Sequence, residues 1–170
     1  GFKAEVQQLL QLMIRSVYSD REVFLRELIS NAADALDKVR FLELTEKDLV
    51  EAAGETGIRI HLDEEGKLLT IEDDGIGMSE EEVVQNLGTI AHSGSRAFLE
   101  QLEKNSEESD IPSLIGQFGV GFYSAFMVAE DVVVETRSAR ADSVPVRWTS
   151  KGEGSYTVEE GSRETRGTSI

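Results

Sequence analysis

No cysteine occurs in the 170 residues, which excludes disulfides and thiolate zinc sites and fits a reducing compartment. Long apolar runs are also missing. None approaches the stretch of about 20 residues that spans a bilayer, and no signal-peptide pattern opens the chain, so the expectation is a soluble, cytoplasmic protein with no membrane partner. Basic residues are few, 17 Lys and Arg against 33 Asp and Glu, for a formal charge of -16. That field repels a phosphate backbone, and no nucleic acid is expected as the main ligand. A small anion can still bind where N–H groups, a metal ion or a few cationic side chains overcome it, so any phosphate site must be built locally. There is no GxxxxGK(S/T) loop, no internal repeat and no low-complexity tract. What is present, 39% hydrophobic and 29% charged residues, suits one globular domain long enough to bury a core.

The chain is organised around Ser19 to Lys38, SDREVFLRELISNAADALDK. Ser19 followed by Glu22 is a capping-box pattern that predicts a helix start. Phe24, Leu28, Ala32, Ala35, Leu36 and Val39 recur at helical spacing and form an apolar stripe. Glu27, Asn31, Asp34 and Lys38 fall at i, i+4, i+7 and i+11, which puts carboxylate, amide, carboxylate and ammonium groups on one face. Taken alone, that face reads equally as a solvated salt-bridge ladder.

Residues 2 to 17 predict an extended start and then an amphipathic helix presenting Val6, Leu9, Leu10, Met13 and Val17. Arg40 to Ala53 reads as a charged helical segment ended by Gly54 and Gly57. Ile58, Ile60 and Leu62 alternate with Arg59 and His61 as a half-buried strand, 64 to 67 turn, and Leu68 to Glu72 return as its hairpin partner. His61 sits at a polar position and is read as a surface residue. The hairpin ends in Asp73-Asp74-Gly75-Ile76-Gly77-Met78, and Ser79 with Glu82 repeats the capping box. A carboxylate at a strand end followed by glycines can anchor an amino group and let a flat ring or phosphate approach the backbone; a plain tight turn uses the same residues.

Next comes Asn86-Leu87-Gly88-Thr89-Ile90-Ala91-His92-Ser93-Gly94-Ser95, a candidate lid segment. Gly116-Gln117-Phe118-Gly119-Val120-Gly121 is a second glycine box, leading into a predicted helix from Phe122 to Val128, and such a junction gathers N–H groups where a phosphate can bind. No good strand precedes it, so it is not a dinucleotide fingerprint. The last third predicts strands at Asp131 to Arg137, Val144 to Thr149 and Ser155 to Glu159, with Trp148 packing on a sheet face. A further strand begins at Gly167, and a chain that stops within it reads as a fragment of a longer protein.

Four boxes in order, Glu27-x-x-x-Asn31, Asp73-x-Gly75-x-Gly77, Gly116-x-x-Gly119-x-Gly121 and Gly167-Thr168, resemble the nucleotide-binding fold shared by heat-shock protein 90 chaperones, type II topoisomerases, MutL-like repair proteins and histidine kinases. Within that group LRELISNAADALDK, DDGIGMS, NLGTIAHSGS and IGQFGVGFYSAFMVA are most similar to the heat-shock protein 90 family and its bacterial branch. The resemblance covers the whole chain and only the family's N-terminal domain.

It implies an α+β fold, a two-layer Bergerat-type sandwich with a mixed, mostly antiparallel sheet, helices on one face and a lid over about 88–121, all in one domain spanning 1–170. It further implies a slow ATPase, weak in the isolated domain, that binds ATP or ADP with Mg²⁺. Asp73 would accept a hydrogen bond from the adenine amino group, supported by Thr168. Gly77, Met78, Asn86 and Phe122 would line the pocket, and the box from Gly116 to Gly121 would meet the phosphates. Asn31 would ligate Mg²⁺ through its side-chain oxygen, and Glu27 would deprotonate the attacking water. Asp34 and Lys38 would border the site, or form an ordinary i, i+4 ion pair. His92 stands where relatives commonly carry Lys or Arg, so phosphate affinity would be weaker or pH-dependent unless the imidazole is charged, and in an open lid it would face solvent. Client proteins, co-chaperones and a homodimer would belong to the full-length protein. Two other readings remain: a nucleotide-gated binding module without turnover, and a histidine kinase catalytic domain, against which the Glu27-x-x-x-Asn31 spacing and the long GTIAHSGS segment speak.

Overall fold

The computed structural model describes residues 22–87, 121–151 and 155–170. The expected helix over residues 2 to 17, the Ser19 cap, His92, the glycine box from Gly116 to Val120 and most of the proposed lid lie outside them. Helix α1 is Val23–Glu43 and α2 is Glu80–Leu87, and a 3₁₀ helix occupies Gly121–Met127. The strands are β1 Ile58–Asp63, β2 Leu68–Asp73, β3 Val132–Arg137, β4 Val146–Ser150, β5 Tyr156–Glu160 and β6 Gly167–Ser169. They form a six-stranded sheet in the order β1-β2-β6-β3-β4-β5, and the pairings β1–β2, β2–β6 and β3–β6 are antiparallel. The fold class is α+β, as expected.

The chain divides into two compact units. One comprises Ile29–Asn86, Val133–Thr149 and Thr157–Ile170. Its buried apolar residues include Ala32, Leu36 and Val39 from the stripe of α1, Ile71 of β2, Val83 of α2, Val134, Val146 and Trp148. β3 and β4 alternate buried with half-buried residues along their length, which is the period of two that a half-covered strand requires. Trp148 packs as expected and is 1% exposed. The half-buried alternation expected of β1 is not formed: Ile58 and Arg59 are both half-buried, and Ile60, His61, Leu62 and Asp63 are all exposed, because β1 lies at the sheet edge.

The other unit takes the described parts of Gly1–Leu28, Leu87–Val132 and Ser150–Tyr156. Its buried apolar residues are Val23, Leu28, Leu87, Phe122, Tyr123, Ala125 and Val132. The Tyr123 hydroxyl donates to the Leu87 carbonyl. Phe122 sets its ring edge-on to Tyr123 and to Phe126, at centroid separations of 5.5 and 6.4 Å. The expected α-helix over Phe122 to Val128 is thus a 3₁₀ helix, starting one residue earlier.

The capping box at Ser79 forms as its sequence prescribes. Ser79 Oγ accepts the Glu82 N–H at 3.2 Å, while Glu82 Oε1 receives the Ser79 hydroxyl at 3.1 Å and its N–H at 3.5 Å. One element is corrected. Helix α1 ends at Glu43, and 44–53 is not helical although Arg40 to Ala53 was expected to be. The backbone of that segment is engaged elsewhere: Leu49 bridges to Arg140, the Val50 N–H donates to the Ala139 carbonyl at 2.8 Å, and the Glu51 carbonyl accepts the Arg166 N–H at 3.1 Å. Such long-range bonds outweigh the helix preference of Leu, Glu, Lys and Ala.

Candidate functional site

The site is built outward from the end of β2. Asp73 pairs directly with Thr168 on β6, and Thr168 pairs directly with Thr136 on β3. Directly opposed residues share a sheet face, so Asp73, Thr168 and Thr136 make one polar row across three strands. All three are buried. Thr136 Oγ1 lies 2.8 Å from Thr168 Oγ1 and accepts the Met78 N–H at 3.0 Å, which ties the loop after β2 to the row.

The loop takes its shape from glycines where nothing larger fits. A Cβ on Gly75 would fall 2.5 Å from the Ala35 side chain and 2.6 Å from its backbone carbon, and the Ile76 N–H donates to the Ala35 carbonyl at 2.9 Å. That contact seats the loop on α1 beside Asp34. Gly77 has φ 63°, and a Cβ there would collide with the Arg137 carbonyl. Asp73 Oδ1 accepts the Gly75 N–H at 2.8 Å. Oδ2 is left as the atom able to take a donor from a ligand.

The charge state of Asp73 follows from this enclosure. Burial raises its pKa from 3.8 to about 6, against the opposing pull of the Gly75 N–H and of the Arg163 charge. At neutral pH the group is still a carboxylate, one that lacks the solvation it had in water.

Behind the row lies a charged brace. Asp74 is fully buried and is held by Arg59, whose Nη1 and Nη2 donate at 2.8 Å to its two oxygens, and by the Gly57 N–H at 3.1 Å. Hydrogen bonding from Arg59 holds the Asp74 pKa below the usual range despite its burial. Arg163 Nη2 donates to the Asp73 carbonyl at 3.1 Å, and Arg166 Nε donates to the Asp74 carbonyl at 2.9 Å. Gly167, at φ 117°, lies so close to the Asp73 carbonyl that a Cβ would not fit. The strand end is therefore fixed through both its backbone and its side chains.

Of the other residues singled out from sequence, Asn31, Asp34 and Lys38 lie on α1 and are exposed, Asn86 is exposed on α2, and Met78 is half-buried. Asp34 and Lys38 form no ion pair among the described residues, whereas Arg40 on the same helix pairs with Asp37 at 3.7 Å. In the other unit Glu27 is half-buried, and burial raises its pKa while the Arg26 charge opposes that. Gly121 lies directly against the Glu27 carboxylate, where a Cβ would collide with Oε2. Phe122 is 6% exposed.

A cavity of about 540 Å³ is bounded by Ser79, Glu80, Glu81, Glu82, Asp142, Glu159 and Glu160 among others, with Arg140 as its one basic wall residue. Neither Asp73 nor Thr168 lines it, and its carboxylates would repel a phosphate. Among the described residues no group of three or more His, Cys, Asp or Glu side chains could hold a metal ion, and no helix is long and apolar enough to cross a membrane.

Thr136, Arg163, Arg166 and the Arg59–Asp74 pair were not anticipated. The one available signal was a threonine in an inward slot of the alternating run Val132, Val134, Thr136.

The buried aspartate at a strand end, the glycine turn after it and the threonine beside it belong to the boxes on which the sequence resemblance to a class of nucleotide-binding domain rests. Residues 18–160 match the model of that class, the histidine kinase-, DNA gyrase B- and HSP90-like ATPases, and the chain belongs to this family. Within it, the chain is 58% identical over 170 residues to the chaperone protein HtpG of Halorhodospira halophila, covering 99% of this chain and 26% of that protein. It is 56% identical to the chaperone proteins HtpG of Chlorobium phaeovibrioides and Yersinia enterocolitica, covering 99% and 100% of this chain and 27% of each of those proteins. The chain thus spans about a quarter of the length of the curated relatives it matches.

Proposed function

We propose that this chain is the ATP-binding and slowly ATP-hydrolysing domain of a molecular chaperone that acts in the cytoplasm and in the stress response. The observation that carries the reading is the Asp73–Thr168–Thr136 row, a buried carboxylate beside a hydroxyl at a strand end, in a chain of this family. Asp73 Oδ2 would accept the adenine amino group and Thr168 would support the base. Gly77, Met78, Asn86 and Phe122 would line the pocket, with Asp34 and Lys38 at its border.

The donor set bears on the metal. With no all-protein cage among the described residues, Mg²⁺ would be held by Asn31 together with phosphate oxygens and water, which suits an ion that sheds water reluctantly. When bound, the ion would neutralise charge on the phosphates. The N–H groups of Gly116, Gln117, Phe118, Gly119, Val120 and Gly121 would receive the same phosphates, and His92 would add charge when protonated. Glu27 would take the proton of the attacking water, and its raised pKa moves it toward the range in which a base is effective. Residues 88–121 would act as a lid whose closure converts nucleotide state into shape. Client proteins, co-chaperones and a homodimer contact would belong to the whole protein.

Hydrolysis and binding of ATP, measured together on the full-length protein with Glu27 and with Glu27→Ala, test the proposal. The variant is expected to bind ATP as wild type does and to lose turnover by about 10²- to 10⁴-fold. Turnover surviving at the wild-type rate would leave a nucleotide-gated module with its base elsewhere or with none.

A further inference from the structure

Thr136 belongs to the polar row but has no task of its own assigned so far, and it is fully buried at the row's end. Its hydroxyl has three neighbours: the Met78 N–H at 3.0 Å, Thr168 Oγ1 at 2.8 Å and the Gly167 carbonyl at 3.2 Å. A threonine hydroxyl carries one proton and two lone pairs. Met78 can only donate, so it takes one lone pair, and the question is where the single Thr136 proton goes. The Gly167 oxygen lies beyond the usual O–H···O distance and the Thr168 oxygen lies within it.

The position of Asp73 points the same way. Thr168 is flanked in register by Thr136 on one side and by Asp73 on the other. If Thr168 gave its proton to Thr136, it would turn only lone pairs toward a carboxylate. If it receives the Thr136 proton, its own proton is free to lie on the side of the negative charge, which is the lower-energy arrangement.

We infer that Thr136 is a specificity-determining positioning residue: by donating to Thr168 it fixes Thr168 as a hydrogen-bond donor beside the Asp73 acceptor. The inference rests on the nucleotide reading of this site. An acceptor next to a donor complements a purine edge that offers an amino group next to an unprotonated ring nitrogen, which is adenine. A 6-oxo purine offers a carbonyl next to a ring N–H and meets a like group at both positions. Thr136 acts through Thr168, with Met78 anchoring its hydroxyl from the other side.

The test is calorimetric titration of ADP and of IDP, each with Mg²⁺, into wild type, Thr136→Val, Thr136→Ala and Thr136→Ser. Wild type is expected to prefer ADP. Once Thr168 can turn to accept as well as donate, the ADP/IDP preference is expected to fall by about ten-fold in the valine and alanine variants, the scale of one misdirected buried hydrogen bond. Serine keeps the hydroxyl and is expected to keep the preference. The ratio is the readout because loosening of the Met78 loop would weaken both nucleotides alike. Alanine carries the test if the valine variant does not fold. An unchanged ratio in valine and alanine, or a ratio lost in serine, overturns the inference alone; wild type that binds neither nucleotide overturns the nucleotide reading and the inference with it.

Discussion

Replacing Asp73 with asparagine is expected to strengthen the fold at neutral pH while removing the carboxylate proposed to receive the base. The side chain is almost wholly buried, and its pKa is raised from 3.8 to about 6, chiefly by that burial. The native state therefore holds the proton more tightly than the unfolded chain does. Above pH 6 the ionised group costs stability, and the cost fades as pH falls through 6 toward 3.8. A difference of about two pH units at about 1.4 kcal/mol each gives about 3 kcal/mol at pH 7.5 and about half of that at pH 5. Asparagine retains an oxygen for the Gly75 N–H without the charge, so the variant should be more stable by about 2–3 kcal/mol at pH 7.5. Asp74, held down by Arg59, titrates below its unfolded value of 3.8 and acts in the opposite sense, but equally in both proteins, so it cancels from the difference. Urea denaturation of both proteins at pH 7.5, 6 and 5 measures the effect. A variant less stable than wild type at pH 7.5, or a difference that does not shrink toward pH 5, would refute the reasoning.

Other perturbations probe the supports. Arg59→Ala leaves the fully buried Asp74 carboxylate with the Gly57 N–H alone, and a loss of about 3 kcal/mol is expected by urea denaturation, the low end for breaking a buried pair because Arg59 is one-third exposed. Ser79→Ala removes the acceptor for the Glu82 N–H and should cost about 1 kcal/mol, seen as a lower denaturation midpoint with an unchanged m-value. Gly121→Ala drives a methyl group into the Glu27 carboxylate; if Glu27 is the proposed base, ATP turnover should fall by about 10²-fold, and turnover at the wild-type rate would separate Glu27 from the chemistry.

Much of the fold was legible because its signals are local. The stripe of α1, the capping box at Ser79 and the pairing of the β1–β2 hairpin depend on residues close together in the chain, and each forms close to where its pattern placed it, although the burial alternation expected of β1 does not. Strand limits moved by a residue or two, with β4 at Val146–Ser150 and β5 at Tyr156–Glu160. The segment after Glu43 misled because its residues favour helix while its backbone partners, Ala139, Arg140 and Arg166, lie far along the chain. The site divides in the same way. Asp73 and Gly77 stood out as a motif at a strand end, but Thr136 reaches Met78 across 58 positions and Arg163 reaches Asp73 across 90. Apart from the inward slot that Thr136 takes in the run Val132, Val134, Thr136, nothing nearby in the chain marks either residue, and the β2–β6–β3 register sets Thr136 beside Thr168.

The central claim is that Asp73 receives the base of an adenine nucleotide. Calorimetric titration of ADP with Mg²⁺ into wild type and Asp73→Asn at pH 7.5 addresses it directly. Wild type should bind at one site, and the variant, folded and more stable, should bind about a hundred-fold more weakly or not at all, because asparagine loses the charge and can turn a second amino group toward that of the base. Equal affinity in the two proteins would contradict the account.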